Sequence, residues 1–589
     1  MSGLCGWVGA ADPATLDLML AAVPHRGDRV DRAFPPGAAI GYRSFGGRPG
    51  QAPSIVRRGS ITAACAGELT PAAACPATAV MDSLGDSRSP AALPRSALDG
   101  SFAAALWDEA GERLTLLCDP FGMRSICWVE HRGALYFATE VKQLLAIPGL
   151  PVDIDPAAIH AYLTFSFVAG DRLPVRGVRR ISPGRVVERR RGVWREEPYV
   201  HLREEIDPAL HDDQAAAARV DALGRAAVRA RLPASGDVGL YLSGGLDSST
   251  IGRWLRDEGA GIRAFSLDFG EHSVERSEAL AAARSLDLPL HFVGAGPDAV
   301  GPVLGDLVWR MDLPFGDGVT GPHYLLARAA HREGLTAVFN GEGGDQLFGG
   351  WANKPMIAAE VYAPESSLAA RAEAYLCTYH RFYKLEKELY SPSFEASVAG
   401  ELGERDERRG LLLRELGSPD LTTFMGRLRK TDIAIKGADN ILPRAERIAG
   451  GFGVDIRSPL FDRALTEASF TFPPRQKLRG VVEKMAIKNA MDGRLPDEVV
   501  WRGKSGMCVP TTDWVLGPLR ELASDLLGPG SIARRGLFKP AYVARLRGGK
   551  DQGSEMRPRR IGEKLWALVI LELWLRTFID GRGRRPEAT

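Results

Sequence analysis

The sequence predicts a two-domain α/β protein, with a sheet-rich domain over residues 1–205 and a parallel-sheet domain with a helical C-terminal part over residues 206–589. Three observations predict it. Short alternating strands broken by glycine and proline turns run to about Tyr199. After about Ile206, strands alternate with helix-length periods, the rhythm of a parallel sheet with crossover helices. Beyond Met356 the apolar spacing is mostly helical through to Ile579.

The first domain should carry strands at residues 38–44, 61–66, 101–107, 114–117 and 134–138. Seven arginines from Arg179 to Arg195 look like a basic patch, but they flank a Pro183-Gly184 turn between strand-like runs and read as a solvated hairpin. The second domain opens on a helix over residues 215–231, followed by strands at 238–242 and 263–267. Loops are expected around residues 450–453, 502–510 and 548–553.

Composition narrows the function classes. A formal net charge of +2 speaks against a general nucleic-acid binder. The chain has no run of about eighteen apolar residues and no basic signal-peptide start, so a cytoplasmic protein without membrane association is expected. The seven cysteines are scattered without paired metal spacing, which fits reduced thiols.

The chemistry concentrates in two glycine-rich loops. Ser243-Gly244-Gly245-Leu246-Asp247-Ser248 follows the apolar run ending at Leu242 and precedes a helix-like segment over residues 250–257. Strand, glycine turn and helix start in that order build a pyrophosphate cradle from freed backbone N–H groups, the two serine hydroxyls and the positive end of the helix dipole. Asp247 would hold Mg²⁺ against the diphosphate. An ordinary βα turn with a serine cap has the same short pattern. The second loop, Gly341 to Gly350, ends an apolar strand at residues 337–340 and sets Glu342 and Asp345 among five glycines. Loops at the carboxyl ends of strands in a doubly wound sheet converge on one crevice, so Asp345 and Asp247 can share one Mg²⁺–pyrophosphate.

Further segments follow in order: Phe265-Ser266-Leu267-Asp268-Phe269, Met311 to Asp317, Val454 to Asp462, Glu483-Lys484-Met485 and Trp501-Arg502-Gly503-Lys504. With them the chain resembles the asparagine synthetase group of ATP-pyrophosphatases, which includes β-lactam synthetases and lasso-peptide cyclases. The resemblance implies an N-terminal Ntn-type αββα sandwich and a C-terminal adenine nucleotide α-hydrolase-like domain. It also implies ATP and Mg²⁺ as cofactors, and adenylation of a carboxylate followed by attack of an amine. Lys484 matches the catalytic lysine, suited to neutralise charge on the α-phosphate and the oxyanion. Glu342 matches a glutamate of asparagine synthetases where β-lactam synthetases carry a tyrosine, and it can take a proton from the amine. Leu242 and Leu267 would line the adenine pocket, while Ser243, Gly244, Gly245, Asp247, Ser248, Gly341 and Asp345 would surround the phosphates. Gln346 stands where the synthetases usually place a glutamate.

The N-terminal half resembles a class II glutamine amidotransferase domain through Cys5-Gly6-Trp7-Val8-Gly9, His25-Arg26-Gly27 and Asp119 to Arg124. Such domains use an N-terminal cysteine whose own α-amine activates the thiol. Here four residues precede Cys5, removal of Met1 would expose Ser2, and the segment that carries an oxyanion-hole asparagine reads Ala66-Gly67-Glu68. The aspartate that holds the α-amino group of glutamine aligns with Ala77, and the pocket arginine falls at Ser44, one place from Arg43. Cys5 is either a small buried hydrophobe at a strand start or a nucleophile.

The expected function is therefore an amide-forming ligase acting on a small-molecule or peptide carboxylate that carries its own amine. A lasso-peptide cyclase is such an enzyme, with a precursor peptide and a protease as partners. The alternatives are an asparagine synthetase fed by ammonia or glutamine, and a non-catalytic nucleotide-binding scaffold. A homodimer is a further expectation. Specificity is expected around residues 316–320 and 450–453.

Overall fold

The computed structural model describes residues 2–46, 54–84, 98–273, 275–350, 356, 366–379, 381–403, 405–503, 506–550 and 558–586. The first part builds two six-stranded sheets. In one, strand Ser2–Val8 lies between Ala38–Ser44 and Ala134–Ala138, antiparallel to both. In the other, Gly100–Asp108 lies between Ile61–Leu69 and Arg113–Cys118. The inner faces meet in a core that includes Leu4, Ile40, Ala64, Ala105, Leu116 and Phe137. Helix Ala14–Ala21 packs on one outer face through Leu16 and Met19, and helix Pro76–Leu84 on the other through Val80 and Met81. These four layers are the αββα sandwich that the resemblance implied.

The arginine-rich stretch departs from a solvated hairpin turning at Pro183-Gly184. The hairpin pairs Arg185–Arg190 with Val193–Pro198 and turns at Arg191-Gly192. Arg180 lies outside it and is buried, 2.6 Å from Asp439, and it donates to the carbonyls of Gly170 and Val168.

The second part carries a five-stranded parallel sheet in the order Leu290–Gly294, Ile262–Asp268, Val238–Tyr241, Ala337–Phe339, Asp455–Arg457. From Val238–Tyr241 the chain adds strands first on one side and then on the other. The crevice outside the carboxyl ends of strands opens at such a reversal. Both glycine-rich loops start there. The preceding helix, Asp213–Arg229, begins two residues before the expected start and packs on the sheet's core beside Trp254. A long helical run, Phe424–Asp432, continues through the π-helical turns Ile433–Ile441 into helix Leu442–Gly451. Among the described residues no helix is long and apolar enough to cross a membrane, and the cysteines are free thiols.

Candidate active site

The crevice is a cavity of about 1050 Å³ walled by both glycine-rich loops. The helix after the first loop starts at Leu246, four residues earlier than the apolar pattern suggests, so Asp247 and Ser248 lie in its first turn. The Ser248 Oγ accepts the Ser243 N–H, and the Ser243 Oγ accepts the Gly245 N–H, each at 3.2 Å. This closes the turn and leaves the helix N-terminus facing the cavity, where its dipole favours an anion. The second loop presses directly onto this turn. A Cβ at Gly344 would stand 2.2 Å from Asp247 Oδ1, and one at Gly341 would stand 2.5 Å from the Ser248 nitrogen. Only glycine permits that approach.

Lys484 joins the two loops. Its Nζ lies 2.5 Å from Asp247 Oδ2 and 2.5 Å from Asp345 Oδ1. The residue starts helix Met485–Met491 in the left-handed conformation, φ 58° and ψ 37°, which a non-glycine residue rarely adopts. Burial opposes its charge, but Asp247 and Asp345 outweigh burial and hold the ammonium pKa above its ordinary value. Lys484 is therefore a fixed cation at the cavity wall.

Asp247 Oδ1 is buried and has no hydrogen-bond partner among the described residues. An open carboxylate oxygen beside a second aspartate is donor chemistry for a hard divalent cation, so these two residues fit Mg²⁺. No cluster of three His, Cys, Asp or Glu side chains able to hold a metal occurs among the described residues. Such an ion would thus complete its shell with phosphate and water.

Glu342 of the second loop also lines the cavity, with its Oε1 3.3 Å from Arg444 Nη2. Arg444 also reaches Asp317 Oδ2 at 2.7 Å and Asn440 Oδ1 at 3.3 Å. Burial lowers the Arg444 pKa, but Asp317 and Glu342 more than compensate. Burial raises the Asp317 pKa, and Arg444 with Thr320 pulls it below its ordinary value. His323, also on the wall, is pushed down to about 3 by burial and by Arg444, so it is neutral at pH 7. Sequence reasoning missed Arg444 and His323. The signal that could have found Arg444 is a basic residue in a helix whose neighbours at three- and four-residue spacing, Asn440 and Ile441, face the same cavity.

Leu242, Ser243, Gly245, Ser248, Leu267, Gly341 and Asp345 all line the cavity. Gly244 supports it from behind: φ is +76°, and a Cβ would stand 2.3 Å from the Ala279 nitrogen. Gln346 is buried at the wall, and its carbonyl accepts from Arg429 Nε at 3.2 Å. Of the two segments expected to carry specificity, Asp317 and Val319 line the cavity. Residues 450–453 do not. They lie at the end of their helix, close to Arg26, Arg310 and Phe45, where the two parts of the chain meet. Arg502 lines the cavity beside Glu278 at 3.0 Å, and Lys504 lies outside the described residues.

A second cavity, about 470 Å³, lies between the two parts and is walled by Ser2, Tyr42, Ser44, Gly67, Ala77, Arg457 and Ser458 among others. Cys5, the candidate nucleophile, is not at this cavity. Strand side chains alternate, so an offset of three residues puts Cys5 on the opposite sheet face from Ser2. Ser2 Oγ accepts the Gly67 N–H at 3.1 Å. Cys5 is fully buried in a cluster with Leu16, Met19, Ala138 and Leu144. Burial drives its thiol pKa far up, against a small opposing hydrogen bond to Gln143. That is the environment of an inert core cysteine. Arg43 also points elsewhere, donating to the carbonyls of Gly27 and Leu20.

Nearby, a buried ionic lattice joins the two parts. Arg26 lies 2.5 Å from Glu140 and 2.6 Å from Glu446, and Arg124 lies 3.2 Å from Glu446. Lys142 is 3.0 Å from Asp312, which Arg447 approaches to 3.5 Å. Arg444, Glu446 and Arg447 belong to one helix, so that helix serves the crevice with one side and the lattice with another.

Comparison with known proteins assigns the chain to a family. The asparagine synthase family model matches residues 219–576, and the glutamine amidotransferase domain model matches residues 92–200. A putative glutamine-hydrolyzing asparagine synthetase of Mycobacterium tuberculosis is 26% identical over 516 residues, covering 82% of this chain and 77% of its own. Asparagine synthetase 1 of Bacillus subtilis is 22% identical, covering 83% and 79%. The amidase chry2 of Gibberella zeae is 26% identical, covering 75% and 74%. The chain belongs to the asparagine synthase family, and with it to the ATP-dependent carbon–nitrogen ligases.

Proposed function

We propose that this ligase adenylates a carboxylate and couples it to an amine carried by the same substrate, closing a macrolactam as lasso-peptide cyclases do. One observation carries the reading: the Cys5 thiol is buried in the core, away from the cavity between the two parts, and Ala66 offers no side-chain donor. With the Cys5 thiol absent from that cavity, glutamine is not expected to give ammonia, and the amine has to arrive with the substrate.

In this reading the substrate carboxylate attacks the α-phosphorus of ATP, the bond to the β-phosphate breaks, and pyrophosphate leaves. Mg²⁺ held by Asp247 and Asp345 would neutralise charge on that leaving group. The first-loop amides and Ser243 bind the phosphates, and Lys484 sets a cation against the phosphate and the tetrahedral oxyanion. Glu342, oriented by Arg444, takes the proton that the amine loses as the amide forms and AMP departs.

A second reading, an asparagine synthetase using free ammonia, is favoured by the carboxylate at Glu342 and by the names of the mycobacterial and Bacillus relatives. One experiment separates them: pyrophosphate and asparagine are measured with ATP, Mg²⁺ and aspartate, with ammonium or glutamine as nitrogen source. The cyclase reading expects neither product. Asparagine from ammonium alone would replace it with the second reading, and asparagine from glutamine would overturn the inert N-terminal cavity as well.

A further inference from the structure

The crevice holds more than the nucleotide half. Pockets for drug-sized ligands run to about 1,000 Å³, and this cavity, at about 1050 Å³, lies at the top of that range. Its far wall is aromatic. Phe165 and Phe167 come from the end of helix Pro156–Phe165 in the N-terminal part, and Tyr375 and Tyr379 from the end of helix Leu368–Cys377. Phe165 meets Tyr379 edge-on at 4.9 Å, Phe167 meets Tyr379 at 6.1 Å, and Tyr375 lies 5.8 Å from Tyr379.

This wall is built with some strain. Ser166, between the two phenylalanines, is left-handed at φ +66°. Its carbonyl accepts the Gly316 N–H at 2.7 Å and its Oγ accepts Arg381 Nε at 2.9 Å. A non-glycine residue in that conformation is over-determined by its surroundings, and here the bonds hold two buried rings in the cavity wall beside the partly exposed Tyr379. The neighbouring wall is the π-helical stretch, a rare conformation associated with functional sites. It presents Lys436, which lines the cavity and has no carboxylate partner among the described residues.

We propose that this lobe is the side-chain pocket for a peptide-like acyl substrate, selecting an aromatic residue next to the carboxylate that is activated, with Lys436 receiving an anionic group of the same peptide. The pocket rests on the ligase reading and names its substrate class. Aromatic side chains gain both apolar burial and edge-to-face contacts in such a lobe, whereas aspartate alone fills none of it. The N-terminal part thereby contributes to catalysis as a wall of the acyl site.

The test uses the full chain with ATP and Mg²⁺, and reads pyrophosphate release with three probes: aspartate plus ammonium, the dipeptide Asp-Ala, and the dipeptide Asp-Phe. Asp-Phe is expected to exceed Asp-Ala by at least about tenfold in kcat/KM, mainly through KM. Tyr379→Ala should bring the two dipeptides to the same value, and Lys436→Met should raise KM for Asp-Phe. Phe167→Leu, which keeps most of the buried volume, guards against a folding defect and should narrow the preference. Equal rates for the two dipeptides, or aspartate as the best substrate, would overturn the aromatic pocket and leave the ligase reading standing. No pyrophosphate with any of the three would likewise overturn the aromatic pocket.

Discussion

The crevice at the strand ends and the ionic lattice between the two parts are built from similar materials, buried arginines and carboxylates beside glycine turns, and they use them in opposite ways. In the crevice the charges face the ligand space: Lys484 bridges Asp247 and Asp345, Asp247 keeps one oxygen without a hydrogen bond, and Arg444 holds Glu342 at the wall. Between the parts, Arg26, Glu140, Lys142, Asp312, Glu446 and Arg447 mostly satisfy one another. Charge left open to a cavity is poised for chemistry, and charge neutralised within a core fixes geometry. The crevice is thus equipped to react, and the inter-part contact to hold.

This contrast can be broken at either end. The largest expected effect is on the reactive side: Lys484→Met should cut pyrophosphate release by about 10³-fold while the protein keeps its thermal midpoint, since one electrostatic group at a transition state is worth about 10²–10³. On the structural side, Glu446→Gln leaves Arg26 and Arg124 short of a counter-charge. It should cost about 3–5 kcal/mol in denaturant unfolding. Glu342→Gln should slow amide formation by about 10²-fold, and pyrophosphate should still appear if hydrolysis intercepts the adenylate.

Acid provides a graded version of the same test. His25 is pushed down to about 4, chiefly by burial, against the opposing pull of Glu140. The folded chain then binds fewer protons at His25 than the unfolded one, so the contribution of a neutral His25 is complete above about pH 6.5 and is lost as pH falls toward 4. Glu446 is held down to about 2, with burial opposing and Arg26 and Arg124 prevailing. Its contribution persists above the ordinary carboxylate range and disappears between there and pH 2. Unfolding free energy measured from pH 7 to 3 should fall in two stages, and His25→Gln should reduce the first, to which the buried His323 also contributes. The smallest effect belongs to Cys5→Ala, which should leave turnover unchanged and cost about 1 kcal/mol of stability. Loss of glutamine-dependent product in that variant would return Cys5 to the reaction.

Much of the crevice was legible because local rules act there. A strand, two glycines and a helix start specify the Ser243–Ser248 turn, and glycine spacing announces the second loop. The helix boundary was four residues off, because the first turn of that helix is polar and gives no apolar period. Arg444 and Arg180 escaped notice for a different reason: their partners Asp317 and Asp439 are distant in sequence, and only the tertiary fold makes an arginine buried. The placement of Cys5 as a small buried hydrophobe was legible. Strand alternation assigns Ser2 and Cys5 to opposite faces, so Cys5 enters the core while Ser2 faces the cavity.

The helix Leu442–Gly451, shared by crevice and lattice, bears on how such a chain can change over evolutionary time. Removing residues 1–205 would strip Glu446, Arg447 and Asp312 of partners that no water can reach in the intact protein, and the same helix would then hold Arg444 less firmly against Glu342. On the proposed reading, a sandwich that no longer cut glutamine would therefore not be free to be lost. Selection on amide formation alone would preserve its framework and let its own pocket drift, so an intact outline around an altered centre is what descent under that constraint leaves behind.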